Sequence, residues 1–426
     1  MCGFAGIFLF ENFNQNEFEK MTNKLNFRGP DEFGQFINLN DKIAFFHHRL
    51  SILDLSVSGK QPMESHSGRF IIAYNGEIYN HLNIRNELTN IKNIKWKGTS
   101  DTETLINSIE IYGIDRALNL CKGVFAFALW DKKEKKLILA RDKLGEKPLY
   151  YGFNKNIFYF GSDLSPLKNN QLFNTQLDLN ALKMYFNLNY IPAPHSIYKN
   201  IKKLESSSYV EISDKNRKLQ IKKYWKLKNN NTNKIENKIE YFKKKIENSV
   251  QLQTISDVPI GSFLSGGIDS SLVSYFMQKN SMKKIKTFNI SFDDANYDEG
   301  SYAHKISQFI GTDHQTHRLS KNSFQEVLSN LNTIYAEPFS DSSQIVTYLI
   351  SKYAKKDVSV VLSGDGGDEG FAGYNRHLIA NKINTFNNII PIHIRKILFN
   401  YLEKNNYKNL ERFINLLKKT DRKSVV

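Results

Sequence analysis

One short stretch limits the fold more than any other part of the chain. Leu264-Ser265-Gly266-Gly267-Ile268-Asp269-Ser270-Ser271 stands between a buried apolar run, Val258 to Leu264, and an amphipathic stretch, Ser270 to Lys279. The glycines and small hydroxyl residues let backbone N–H groups crowd around an anion. A helix N-terminus directly after them adds the positive end of its dipole. Such a loop needs a strand before it and a helix behind it. The surrounding pattern agrees: helix Ile235 to Thr254, strand Lys286 to Phe292, helix Glu299 to Ile310, helix Ser343 to Ala354 and strand Val358 to Leu362. Strands alternating with helices predict a parallel α/β sheet. The loop lacks a Walker lysine, and Gly-x-x-x-x-Gly-Lys-[Ser/Thr] occurs nowhere in the chain.

A second cluster, Leu362-Ser363-Gly364-Asp365-Gly366-Gly367-Asp368-Glu369, follows another β-branched run about one hundred residues later. Loops of this kind meet at the carboxyl ends of parallel strands, where ligands bind. Carboxylates there hold Mg²⁺ on phosphates or move protons. A calcium-type acidic loop or a plain turn is the alternative.

The first half reads differently. Phe70 to Tyr74, Val124 to Trp130, Lys136 to Ala140 and Ile157 to Phe160 are strand-like runs. Asn75-Gly76 and Leu144-Gly145 read as turns between strands, and Thr102 to Tyr112 as a helix. Paired sheets with helices outside, an α+β layered domain, fit this pattern. The expected division is residues 2–225, a polar linker at 226–237, and a second domain at 238–426. Cys2 follows Met1 directly. Removal of the initiator gives Cys2 both a thiol and a free α-amine of pKa ~7.7–8.0, a base for its own thiol. A small apolar residue opening a strand is the plainer reading of the same dipeptide.

Composition narrows the function classes. The 426 residues carry a formal charge of +16, but the lysines are scattered among Asn and Ile, with no zinc-finger spacing and no long basic tail. No nucleic-acid partner is expected. Cys2 and Cys121 are the two cysteines, so no disulfide framework is implied, and Cys121 lies in an apolar run that reads as core. No stretch approaches ~20 apolar residues, and no signal peptide is evident. The expectation is a cytoplasmic protein without a membrane partner.

The Ser265 loop resembles the pyrophosphate loop of the ATP pyrophosphatase group. With the other motifs, the chain resembles glutamine-hydrolysing asparagine synthetases, which fuse an N-terminal-nucleophile glutaminase to an ATP-dependent synthetase. The resemblance runs from Cys2 through Arg28-Gly29-Pro30-Asp31, His48 to Asp54, Gln61-Pro62-Met63, Asn75 to Asn80, Ser100 to Glu103, Ala140-Arg141-Asp142 and Lys147 to Tyr150. It continues through the Ser265 loop, Glu337 to Ser343 and the Ser363 loop to Gly373-Tyr374, ending near Arg376.

The resemblance implies an αββα glutaminase layer domain followed by an α/β parallel-sheet ATP pyrophosphatase (HUP-like) domain. It implies Cys2 as nucleophile, with the Asn75 side chain and the Gly76 N–H as the oxyanion hole. Arg49 pairs with the glutamine carboxylate and Asp101 with its ammonium; Leu50, Ser51, Ile52, Leu53 and Glu77 complete the pocket. Taken singly, Arg49 and Asp101 equally suit surface ion pairs. Leu264, Ile290, Ser363 and Gly364 match the adenine and ribose end of ATP, and Ser265, Gly266, Gly267, Asp269 and Ser270 the pyrophosphate. Asp269 and Asp368 match Mg²⁺ carboxylates. Asp365, where many relatives have Glu, assists ammonia attack. Glu337 and Asp341 stand as neighbours of the acceptor.

The implied reaction uses glutamine, aspartate and MgATP, and yields asparagine, glutamate, AMP and diphosphate. The competing readings are an amidotransferase for another carboxyl acceptor, such as a sugar acid of a surface polysaccharide, a chain keeping only glutaminase activity, and a non-catalytic regulatory remnant. Homodimers are common in this family. The family's Lys-x-Asp-Arg-x-Ser-Met stretch, whose lysine stabilises charge on pyrophosphate, is not evident before Val426. The expectation is a truncated frame, a fragment or one part of a split protein, with glutaminase activity retained better than amide synthesis.

Overall fold

Residues 1–228, 236–292, 298–375, 377–381, 385 and 394 are described by a computed structural model of the chain. The centre of the expected linker, residues 229–235, and the chain end beyond 394 lie outside the described residues.

The first half contains strands β1 (Gly3–Phe8), β2 (Glu32–Asn38), β3 (Ile43–Arg49), β4 (Met63–Glu64), β5 (Phe70–Ile78), β6 (Gly123–Asp131) and β7 (Lys136–Arg141). Strands β8 (Tyr150–Asn154), β9 (Ile157–Gly161), β10 (Ile201–Lys203), β11 (Ser208–Ser213) and β12 (Gln220–Lys223) complete it. They make two six-stranded sheets, ordered β10-β8-β9-β1-β3-β2 and β12-β11-β7-β6-β5-β4. Helices α1 (Gln15–Asn23), α2 (His81–Ile91), α3 (Asp101–Tyr112), α4 (Ile114–Leu120) and α5 (Leu179–Leu188) cover them.

Strand alternation explains the layering. Along β6, Ala126, Ala128 and Trp130 join Phe4, Phe45 and Phe160 between the sheets. Phe125, Phe127 and Leu129 point the other way, onto Leu105 and Ile109 of α3. Phe18 of α1 and Ala181 of α5 cover the outer face of the first sheet. Both faces of the central strands are therefore buried, which is why β3, β5 and β6 read as continuous apolar runs, whereas the edge strand β12 is exposed. The layers are helix, sheet, sheet, helix, as expected, and Cys121 is a core residue, 1% exposed.

Asn75-Gly76 is a correction: it is not a turn. It lies inside β5, which pairs with β6 without a break from Phe70↔Asp131 to Ile78↔Gly123. A Cβ on Gly76 would sit 2.2 Å from the Val124 carbonyl oxygen, so the glycine serves close packing across the ladder. Leu144-Gly145 does lie in the connection between β7 and β8, with Gly145 at φ +75°.

The second half contains α6 (Lys238–Gln253), β13 (Ile260–Phe263), α7 (Ile268–Lys279), β14 (Lys286–Ser291), α8 (Gly300–Ile310) and β15 (Asp313–Arg318). Then come α9 (Lys321–Ile334), α10 (Ser343–Ala354), β16 (Val360–Leu362) and α11 (Gly367–Phe371). The sheet is parallel, ordered β15-β14-β13-β16. Val250, Phe276 and Met277 of α6 and α7 pack in one cluster, and Val327, Ile345 and Leu349 of α9 and α10 in another. This is the expected α/β parallel-sheet domain. Among the described residues no helix is long and apolar enough to cross a membrane.

Candidate active site

Cys2 stands just ahead of β1. The Leu50 N–H donates to its Sγ at 3.4 Å, and Arg28 Nε donates to its carbonyl oxygen at 3.2 Å. Burial pushes the thiol above its ordinary value, and the Leu50 N–H offsets this only in part. The nearby Met1 α-ammonium is pulled down to about 6 by burial, with Arg28 and Lys147 acting in the same direction. A protonated thiol therefore sits beside an amine held neutral at physiological pH.

Beside Cys2, β5 offers two donors. Asn75 is 1% exposed, and its Nδ2 has no hydrogen-bond partner. The second donor follows from strand geometry. Successive N–H groups of a strand point to opposite sides. Tyr74 N–H donates to Gln61 Oε1 at 2.8 Å and Ile78 N–H to Asp101 Oδ2 at 2.9 Å, both away from β6. Gly76, midway between them, turns its N–H to that same side. Phe125, its opposite number on β6, commits its own N–H and carbonyl to Asp142 at 3.2 and 2.8 Å. One buried amide and one backbone N–H thus face the space by the thiol.

The walls of this pocket carry opposite charges. Asp101 is the first residue of α3; Ser100 caps that helix, and Tyr74 Oη donates to Asp101 Oδ2 at 2.8 Å. Burial and the neighbouring Asp101 push the Glu77 carboxyl up to about 8, with Lys147 opposing. Asp101 and Glu77 share one desolvated wall, where an incoming cation would favour the ionised form of Glu77. Arg49, 5% exposed, lines the same cavity. Its guanidinium donates to Glu32 Oε2 at 3.2 Å, to the carbonyls of Leu53 at 3.1 Å and Ser56 at 3.3 Å, and to that of Asp54. Arg49 therefore braces the loop that follows it. Leu50, Ile52 and Leu53 of that loop line the cavity; Ser51 is not among the lining residues, and its N–H donates to Asp31 Oδ2 at 2.7 Å.

Sequence reading missed several supports. Gln61 Nε2 donates to Thr102 Oγ1 at 3.1 Å, linking β5 to α3 behind the pocket. Asp142 accepts from the N–H groups of Leu144, Gly145, Glu146 and Lys147, which sets Glu146 and Lys147 at the cavity wall. The motifs Gln61-Pro62 and Arg141-Asp142 were visible in the sequence. Their task was not, because it depends on which loop they cross.

In the second half, the two glycine loops abut. A Cβ on Gly364 would lie 2.7 Å from the Ser270 nitrogen, and one on Gly367 2.4 Å from Asp269 Oδ2. Ser265 N–H donates to Ser270 Oγ at 3.2 Å, and Gly267 N–H to Ser265 Oγ at 3.3 Å. Gly266 has φ +85°. Leu264 and Ile290 are 1% and 5% exposed at the ends of β13 and β14. Ser363 Oγ donates to Asp365 Oδ2 at 3.0 Å. Asp368 lies in the first turn of α11. Glu337, expected as a neighbour of the acceptor, makes contacts between the halves. It accepts from the Ile197 N–H at 2.7 Å and pairs with Lys203, joining the two halves.

A single cavity of about 1410 Å³ is lined by Cys2, Asn75, Gly76 and Asp101 and also by Asp269, Ser363, Gly364 and Asp365. Leu264, Ser265, Gly266, Gly267, Ser270, Ile290 and Asp368 are not among its lining residues.

Residues 1–225 match the glutamine amidotransferase domain family, and residues 241–424 the asparagine synthase family. A Methanocaldococcus jannaschii protein named putative asparagine synthetase (glutamine-hydrolyzing) 2 is 37% identical over 399 residues, 89% of this chain and 76% of its own length. Asparagine synthetase (glutamine-hydrolyzing) 1 of Bacillus subtilis is 33% identical over 404 residues, 93% of this chain. The match spans 62% of that relative, so the chain corresponds to part of it. The chain belongs to the family of glutamine-hydrolysing asparagine synthetases.

Proposed function

We propose that the chain hydrolyses glutamine at Cys2 and delivers the ammonia to a carboxylate activated by ATP, with aspartate as acceptor and asparagine as product. The observation that carries this reading is the buried, unpartnered Asn75 Nδ2 in a cavity that also holds Cys2 and is shared with Asp269 and the Ser363 loop. An unmet buried donor costs free energy unless a ligand satisfies it.

Removal of Met1 transfers the terminal amine to Cys2. That amine takes the thiol proton, and Sγ attacks the side-chain amide carbon of glutamine. The tetrahedral oxyanion accepts from Asn75 Nδ2 and the Gly76 N–H. Collapse breaks the C–N bond, and the protonated amine returns its proton to the leaving ammonia. Water then cleaves the thioester, giving glutamate and free Cys2. Asp101 and Glu77 receive the substrate ammonium. Arg49 acts on the substrate carboxylate, directly or through the loop that it braces.

At the second centre, the Ser265 loop and the start of α7 hold the phosphates of ATP. Leu264 and Ile290 form the apolar wall behind it. The acceptor carboxylate attacks the α-phosphate and diphosphate leaves; ammonia then displaces AMP from the acyl-adenylate, with Asp365 close to that attack. Among the described residues no group of three or more His, Cys, Asp or Glu side chains forms a metal cage. Mg²⁺ on a nucleotide takes only one or two carboxylates, which Asp269 and Asp368 fit. When bound, it neutralises phosphate charge. A soluble cytoplasmic enzyme, and a homodimer as in many relatives, complete the proposal.

The test incubates the purified chain with glutamine alone, then with aspartate and MgATP, and measures glutamate, asparagine and AMP. Expected are glutamate that Cys2→Ala abolishes, asparagine matched by AMP, and glutamate in excess of asparagine. Glutamate formation equal in parent and Cys2→Ala would overturn the reading.

A further inference from the structure

The loop that brings the Leu50 N–H to Cys2 is held from both halves of the molecule. From the first half, Arg49 grips the carbonyls of Leu53 and Asp54, and Asp31 accepts from Ser51. Asp54 is 5% exposed with φ +58°, a left-handed conformation that a non-glycine residue keeps only when its surroundings impose it. Its carboxylate accepts from the Ser56 and Thr99 N–H groups at 3.2 and 2.7 Å.

From the second half comes Asp257. Its Oδ2 accepts from the Asp54 N–H at 2.8 Å, and its own N–H donates to the Ile52 carbonyl at 3.0 Å. The two bonds form a reciprocal clasp across Ile52, Leu53 and Asp54. Ile52 and Leu53 line the cavity, and Leu50, two residues before Ile52, donates its N–H to the nucleophile. Asp257 lies just ahead of β13, the strand that runs into the Ser265 loop. Burial pushes the His81 ring below its ordinary value; the charges of Asp101 and Asp257 oppose that, and Arg85 adds to it.

We propose that Asp257 is a positioning residue for the glutaminase reaction, holding the glutamine-pocket loop in place from the synthetase half of the chain. The proposal rests on the glutaminase reading of Cys2. It also makes the strand under the nucleotide loop a neighbour, by one clasp, of the glutamine pocket. A shift of β13 reaches Ile52 and Asp54 through two hydrogen bonds.

The test compares Asp257→Ala and Asp257→Asn in the full chain. Alanine removes the acceptor for the Asp54 N–H; asparagine keeps it through its Oδ1. Expected is a KM for glutamine raised about tenfold in Asp257→Ala, the scale of one charge-assisted hydrogen bond, with kcat changed less. Asp257→Asn stays within about threefold of the parent on the same scale. Hydrogen exchange at the Asp54 amide accelerates in the alanine variant and not in the asparagine one. Should alanine fail to fold, Asp257→Glu displaces the carboxylate by one methylene and carries the same expectation. An unchanged KM in Asp257→Ala, or equal losses in alanine and asparagine variants, overturns the proposal. A parent chain inactive on glutamine overturns the functional reading instead; unchanged Asp54 exchange in Asp257→Ala then overturns this proposal on its own.

Discussion

Replacing Asn75 with alanine separates what the residue does for activity from what it does for stability. The Asn75 Nδ2 is buried without a protein acceptor, which costs at most ~1–3 kcal/mol before substrate binds. Truncation removes that cost and, against it, leaves a small void among neighbours in β5 and β6. The two changes offset each other, and the net effect on stability is expected within about 1 kcal/mol. The transition state behaves otherwise. The oxyanion keeps the Gly76 N–H but loses the amide, and one lost donor of this kind lowers kcat by ~10²–10³, or ~2.7–4 kcal/mol. The assay is glutamate release from glutamine under saturation, beside a thermal melt of the same preparation. A large fall in kcat with an almost unchanged midpoint is expected. An unchanged kcat, or a loss of activity that only follows a loss of folded protein, would refute the oxyanion reasoning.

Gly76→Ala tests the packing argument: a Cβ 2.2 Å from the Val124 oxygen and 2.6 Å from the Phe125 Cα should destabilise the chain by about 3 kcal/mol or more. A urea midpoint equal to the parent's would contradict it. Glu77, held near 8 by burial and Asp101, is largely protonated in the empty pocket at neutral pH. Its raised pKa means that stability present below the ordinary value of 4.5 is lost as pH rises through about 8. A substrate ammonium reverses the shift, so glutamine binding to Cys2→Ala at neutral pH should release a proton, seen by calorimetry in buffers of different ionisation enthalpy and absent in Glu77→Gln. In the second half, Gly266→Ala forces φ +85° on an L-residue and sets its Cβ 2.9 Å from the Tyr302 and Ala303 backbone. ATP binding should weaken while glutaminase kcat stays; equal ATP affinity in a titration would count against the phosphate role of that loop.

The sequence carried the elements that local chemistry dictates. Ser343 to Ala354 forms the expected helix, and Val124 to Trp130 and Lys286 to Phe292 form the expected strands within a residue at each end. Where tertiary contacts decide, the sequence was mute or misleading. Asn75-Gly76 has the chemistry of a turn, yet nine residues of pairing with β6 hold it straight. Asp313-His314-Gln315-Thr316-His317-Arg318 has no apolar alternation, yet it is the parallel edge strand β15, held by its ladder to β14. The same limit applies to the site. Cys2 and the glycine loops announce themselves because their chemistry needs no partner. Arg49 read as a substrate ligand, and its hold on the Leu53, Asp54 and Ser56 carbonyls appears only once the loop is folded around it. Glu337 read as an acceptor neighbour, and its pairing with Lys203 depends on how the halves meet.

That meeting of the halves gives the cavity its meaning. Under the proposed function, ammonia made at Cys2 for use near Asp365 would need a path apart from bulk water, where at neutral pH it would be protonated and lose its nucleophilicity. One cavity lined by both residues supports such a path. The Asp257 clasp and the Glu337–Lys203 pair hold the two walls together.

If Cys2 is an N-terminal nucleophile for glutamine, a diazo-ketone analogue of glutamine should alkylate it, and mass spectrometry of the treated chain maps the adduct. One adduct is expected, on Sγ of a Cys2 that has lost Met1, with glutamine slowing its formation. An intact Met1 on active protein, or an adduct on Cys121 with Cys2 left free, would contradict it.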